Sequence, residues 1–166
     1  MIFTIAALAV TLLGCGQKSV DDLFKKYSDS EGYVTLTING NLLKLAELFD
    51  DDEDSTDHHG RNSEITQIRI LAQEEEYKGG ENFFDMVKRE IRGDDYEEFM
   101  RVKEKDQDLM MLVRTEGTNF REFLLVAGGE DNVIIQIKGK LTMKDARKFS
   151  ADFRDDHDRN VISWRN

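Results

Sequence analysis

The chain contains no proline and a single cysteine. An intrachain disulfide is therefore excluded, and the turns fall to the Gly, Asn and Asp residues that punctuate the apolar runs. Positive charge is scarce as well: 23 Lys and Arg against 34 Asp and Glu give a formal net charge of −11. With a pI of about 4.8, the long-range field repels phosphate backbones, which excludes nucleic acid as a partner class. No apolar run is long enough to cross a bilayer. The N-terminal run Ile2–Leu13 rises only about 18 Å as a helix, against a hydrocarbon core of ~30 Å. Catalytic frames are missing too. Neither a Gly-x-Ser-x-Gly elbow nor a Ser-x-x-Lys pair occurs, and Gly128-Gly129 and Gly139-Lys140 fit neither phosphate-binding frame.

What is present is a 166-residue chain with 39% hydrophobic residues, enough for one packed domain with a single core. The stretch from Asp108 to Gly139 holds three apolar runs separated by two loops rich in Gly, Asn, Asp and Glu. This pattern predicts a three-stranded antiparallel meander. In its last run Val133, Ile135 and Ile137 alternate with Asn132, Gln136 and Lys138, the period of a strand buried on one side only. Met110 and Met111 read as core residues.

Upstream, Ser19 is placed to cap a helix whose Val20, Leu23, Phe24 and Tyr27 share one face. Val34, Leu36 and Ile38 then alternate with Tyr33, Thr35 and Thr37 as a strand. Asn39 or Asn41 opens a second helix with Leu42, Leu45, Ala46 and Phe49 on its apolar stripe. A strand around Ile65–Gln73 follows, then a helix carrying Phe83, Phe84, Val87 and Ile91, a strand near Phe99–Lys105, the meander, and a last helix capped by Thr142. The order predicts an α+β fold: a mostly antiparallel sheet with a C-terminal meander, covered on one face by amphipathic helices. The expected division is a leader at 1–14, an anchor and tether at 15–19, one domain at 20–153 and a charged tail at 154–166.

The leader closes on Leu12-Leu13-Gly14-Cys15, which resembles the lipobox of bacterial lipoproteins. That resemblance implies that Cys15 is lipidated and becomes the mature N-terminus, and that the membrane is met through this lipid. Gly16 after the cysteine, in place of Asp, implies the outer membrane. Further on, Tyr96-Glu97-Glu98-Phe99-Met100-Arg101-Val102, Leu125-Val126-Ala127-Gly128-Gly129 and Ile137-Lys138-Gly139-Lys140-Leu141-Thr142 resemble the bacterial envelope lipoproteins grouped as domain of unknown function 4252. The resemblance implies a cell-envelope protein, facing the periplasm, with no assigned activity, no cofactor and no catalytic residue to carry across.

The remaining chemistry is concentrated in the acidic loop. Asp50, Asp52 and Asp54 with His58 and His59 offer oxygen and imidazole donors for a metal. Their spacing fails the calcium loop, since Ser55 stands where Gly is needed and Arg61 where a bidentate Glu is needed. Adjacent histidines also lack the spacing that places two imidazoles on one helix face for zinc. A solvated loop without a metal is the expected state. The sequence thus favours a lipid-anchored envelope module that binds an envelope protein over its alternative, a small metal-binding protein or hydrolase using this loop, and an enzymatic role is not the expectation.

Overall fold

The computed structural model describes residues 19–42, 64–91 and 96–151. Helix α1 (Val20–Tyr27) starts where the sequence places it: the Asp22 N–H donates to the Ser19 hydroxyl at 3.1 Å, and the Ser19 N–H donates back to the Asp22 carboxylate at 3.0 Å. This reciprocal cap satisfies two orphan donors of the first turn. Strand β1 (Tyr33–Asn39) follows, and helical geometry begins again at residue 40. Leu45, Ala46 and Phe49, assigned to that second helix, lie outside the described residues.

Next come β2 (Glu64–Gln73) and α2 (Phe83–Glu90). The meander strands are β3 (Glu97–Lys103), β4 (Gln107–Glu116), β5 (Asn119–Gly129) and β6 (Val133–Leu141). Helix α3 occupies 143–151, opened by Thr142 and Asp145, whose side chains exchange hydrogen bonds with each other's backbone N–H at 3.3 and 2.7 Å. The six strands form one sheet in the order β1-β2-β6-β5-β4-β3, and every neighbouring pair is antiparallel. This is the α+β architecture that the element order predicts. The meander runs through four strands, and β6 then lies beside β2.

The sheet is covered on both faces. On one face α1 and α2 pack through Val20, Leu23, Phe24, Phe83, Phe84 and Val87 onto Leu71, Met110, Leu124, Val126 and Ile134. On the other a second cluster joins Met111, Val113, Phe123, Leu125 and Ile137 to Ala146 of α3, with Phe149 packed against it. The expected single core is thus two half-cores with the sheet between them, and the two methionines point to opposite sides.

For β6 the expectation of one buried side is corrected. Ile134 is fully buried and Gln136 is 2% exposed, while Val133 and Ile135 are only partly covered. The physical reason lies in β6's position between β2 and β5, under α1 on one side and near α3 on the other. The neighbouring strand carries the sign of it, because Phe123–Ala127 is a continuous apolar run and every residue in it is buried. Such runs belong to strands buried on both faces.

The two sheet edges differ. Edge strand β3 carries Glu97, Glu98, Arg101 and Lys103 and an irregular register between Glu98 and Met100, devices that discourage further strand pairing. Edge strand β1 carries no charged residue and pairs with β2 in unbroken register.

Candidate functional site

Two polar arrangements stand out among the described residues, one where loops meet the ends of strands and one across the middle of the sheet. The first is a recess of about 400 Å³ between the β2–α2 connection and the β5–β6 turn, lined by Gln73, Tyr77, Asn82, Asp131 and Asn132 among others. Asn132 fixes its floor. Its Nδ2 donates to Gln73 Oε1 and to the Glu81 carbonyl, each at 2.8 Å, and its Oδ1 accepts the Phe83 N–H at 2.6 Å. All three bonds reach other segments, so one side chain ties the turn to both β2 and the start of α2. Gln107 does the same from the β4 side, exchanging two 2.9 Å bonds with the backbone of Asp131.

The rim of the recess holds Glu74, Glu75, Glu130 and Asp131 against one Lys78. Lys78 Nζ donates to the Glu75 carbonyl at 3.0 Å. A preformed, polar and acid-rich recess is suited to accept hydrogen bonds from a cationic or amide-bearing group.

The second arrangement is a buried network under α1. Glu122 is 1% exposed and accepts the Tyr96 hydroxyl at 2.6 Å and the Gln136 amide on its Oε1. Arg114 Nη2 stands 2.7 Å from the other oxygen, which has no aligned hydrogen-bond donor, so this contact is a charge pairing rather than a directed bond. From Gln136 the chain of contacts continues: Arg69 Nε donates to Gln136 Oε1 at 2.6 Å, and the Arg69 guanidinium pairs with Asp21 of α1 and lies 4.2 Å over the Phe24 ring. Lys138 Nζ reaches the same Asp21 oxygen at 3.4 Å.

The electrostatics follow from this wiring. Partial burial raises the Asp21 carboxyl, but Lys138 and Arg69 outweigh it and hold the group below its ordinary 3.8. Burial, then the hydrogen bond to Glu122, pushes the Tyr96 phenol well above its ordinary value of 10.0. Tyr96 therefore stays a neutral donor and Glu122 its acceptor. The network joins α1 to four strands, β2, β4, β5 and β6, so its chemistry is that of a structural clamp.

Of the residues singled out in the sequence, Cys15, Asp50, Asp52, Asp54, His58 and His59 lie outside the described residues. Among the described residues no group of three or more His, Cys, Asp or Glu stands close enough to hold a metal ion, and no helix is long and apolar enough to cross a membrane. Sequence reasoning missed Asn132, Gln107, Glu122 and Gln136. One signal was available for Gln136, a polar residue between Ile135 and Ile137 inside a strand; Glu122 follows the charged Arg121 and carried no such signal.

Residues 27–149 match the family described as domain of unknown function (DUF4252). The chain belongs to that family. The matched span runs from the end of α1 to within α3 and so takes in the whole sheet, the recess and most of the Glu122 network. Asp21 lies outside it. No curated protein and no solved structure matches the chain. The family description assigns no reaction, so any function has to be argued from residues.

Proposed function

We propose that this DUF4252 chain is a lipid-anchored module of the cell envelope, held at the outer membrane through Cys15, whose domain faces the periplasm and binds another envelope component. The observation that carries this reading is the run Ile2–Leu13 closing on Gly14-Cys15. A cysteine directly after an apolar leader, followed by polar Gly16-Gln17-Lys18-Ser19, is the arrangement that lipidation uses. Two or three acyl chains at about 0.8 kcal/mol per buried methylene give stable attachment where one chain binds only reversibly. That strength matters here because the −11 charge opposes approach to anionic headgroups.

The binding half of the proposal is supported by the recess. Its walls are fixed by Asn132 and Gln107, so a ligand group would meet preordered donors and acceptors and lose little to reorganisation. The acid-rich rim favours a partner segment that presents Lys, Arg or amide groups.

The test has two arms. Mass spectrometry of the wild type should find Cys15 diacylated and N-terminal, and Cys15→Ser should leave the membrane fraction in a high-salt wash. An unmodified Cys15, or a Cys15→Ser chain that stays with the membrane, refutes the address. Co-purification from detergent-solubilised membranes should yield a partner with the wild type and lose it with the Glu74→Lys, Glu130→Lys double variant. A partner retained equally by that variant refutes the recess as its site.

A further inference from the structure

Strand β1 is an edge strand with the properties of an inner one. It spans seven residues, Tyr33–Asn39, with no charge, no proline and no break in register against β2. Among the described residues nothing pairs with its outer side, since the sheet order begins at β1. Alternate backbone N–H and C=O groups along that side are thus left pointing away from the sheet. Two of its apolar side chains are also open: Val34 is 52% and Leu36 49% exposed. Their cross-strand partners are Ala72 and Ile70, and Ile38 stands opposite Ile68 of the second cluster, so Val34, Leu36 and Ile38 share one face.

The order of residues in β1 says what fits there. Val34-Thr35-Leu36-Thr37-Ile38 is a near-palindrome centred on Leu36. An antiparallel strand that pairs with a copy of itself through a two-fold axis must match residue for residue when reversed. Here it does: Leu36 meets Leu36, Val34 meets Ile38, and Thr35 meets Thr37. The first two pairings set apolar against apolar on one face, and the third sets threonine against threonine on the other, both favourable cross-strand pairs. Charge selects the same strand. Two chains that each carry −11 repel at long range, and β1 is the edge at which they can touch without bringing charges together. The other edge, β3, has Glu97, Glu98, Arg101 and Lys103, and would not.

We propose that β1 is a homodimer interface, in which two copies of this chain pair β1 to β1 antiparallel about Leu36 and extend the six-stranded sheet into one of twelve strands. The open apolar side chains Val34 and Leu36 of each copy then cover one another. The proposal does not depend on the lipid anchor or on the recess.

The test uses the full chain with Cys15→Ser, which removes its one native thiol. In the proposed register Leu36→Cys faces its own copy, with Cα atoms about 4.5–5.5 Å apart, inside the ~4.4–6.8 Å range of a disulfide. Mild oxidation should convert most of the Leu36→Cys chain to a covalent dimer on a non-reducing gel. Ile38→Cys alone should stay monomeric at the same concentration, because two copies of position 38 are four residues out of step, roughly 13 Å along the strand. Mixing the Val34→Cys and Ile38→Cys chains should restore the dimer, as should mixing Thr35→Cys with Thr37→Cys on the opposite face. A Leu36→Cys chain that remains monomeric while its circular dichroism matches wild type overturns the proposal. So does an Ile38→Cys chain that links to itself as well as Leu36→Cys does, and so does failure of both mixed pairs.

Discussion

The Tyr96 hydroxyl donates to Oε1 of Glu122 at 2.6 Å across 26 residues of chain, and this bond closes the buried end of the clamp that runs through Gln136 and Arg69 to Asp21 on α1. Glu122 is otherwise served by the Gln136 amide and the Arg114 charge. Tyr96→Phe keeps the ring and removes the donor. The expected cost is about 1.5–3 kcal/mol, the range for a hydrogen bond to a charged group, read from urea unfolding followed by circular dichroism. A loss under about 0.5 kcal/mol would show that Glu122 does not depend on this donor.

The same bond gives a signature in alkali. Burial and the hydrogen bond to Glu122 raise the folded-state value of Tyr96 above its ordinary 10.0. The native state therefore keeps this proton after the unfolded chain has released it. Stability from this group is complete below about pH 10 and declines as pH rises beyond it, with a slope of at most about 1.4 kcal/mol per pH unit. Tyr96→Phe should flatten the stability profile above pH 10 relative to wild type. Identical slopes in the two proteins would contradict the raised value.

The two neighbouring isoleucines of β6 should respond differently to charge. Ile134 is fully buried under α1 and α2, whereas Ile135 sits partly covered on the other face. An unpaired carboxylate at a fully buried site costs several kcal/mol against a total stability of about 5–15 kcal/mol. Ile134→Asp is expected to abolish the cooperative thermal transition, and Ile135→Asp to keep one at lower temperature. The reverse order in a melting experiment would mean the two faces have been exchanged.

The limits of the sequence are visible in particular residues. Ser19 and Thr142 announce their helices because capping is a local matter of three residues, and the strands of the meander announce themselves by period. Which face of a strand is covered is not local. For β6 the period separates Ile134 from Ile135 correctly, yet the depth of each depends on α1, α2 and α3, which come from distant parts of the chain. The recess was illegible for the same reason. Asn132 reaches Gln73 across 59 residues and the Glu81 carbonyl across 51, and no spacing in the sequence encodes such a meeting. Gln136 was partly legible, as a polar residue between two isoleucines that needs a partner, whereas Glu122, next to Arg121, read as one more charge on a strand.

The tight contact of α2 with β5 at Gly128 gives the last prediction. A Cβ added at Gly128 would stand 2.7 Å from both the Phe84 Cβ and the Phe84 backbone nitrogen, and would also meet the Asn82 side chain. None of these can yield cheaply. Asn82 caps α2 by accepting the Asp85 N–H at 3.0 Å, and Phe84 is 1% exposed in the core. Gly128→Ala must therefore push α2 off β5, an overpacking cost of about 3 kcal/mol. Gly117 offers the control. It takes φ +63 in the β4–β5 turn with nothing within 4 Å of an added Cβ, so Gly117→Ala carries only the backbone penalty of the left-handed region, roughly 1 kcal/mol. Urea midpoints of the two variants should fall in that order, with the Gly128→Ala midpoint well below the other. If Gly128→Ala unfolds at the same midpoint as Gly117→Ala or a higher one, α2 does not sit directly on β5, and the floor of the recess, which begins at Asn82, has been placed wrongly.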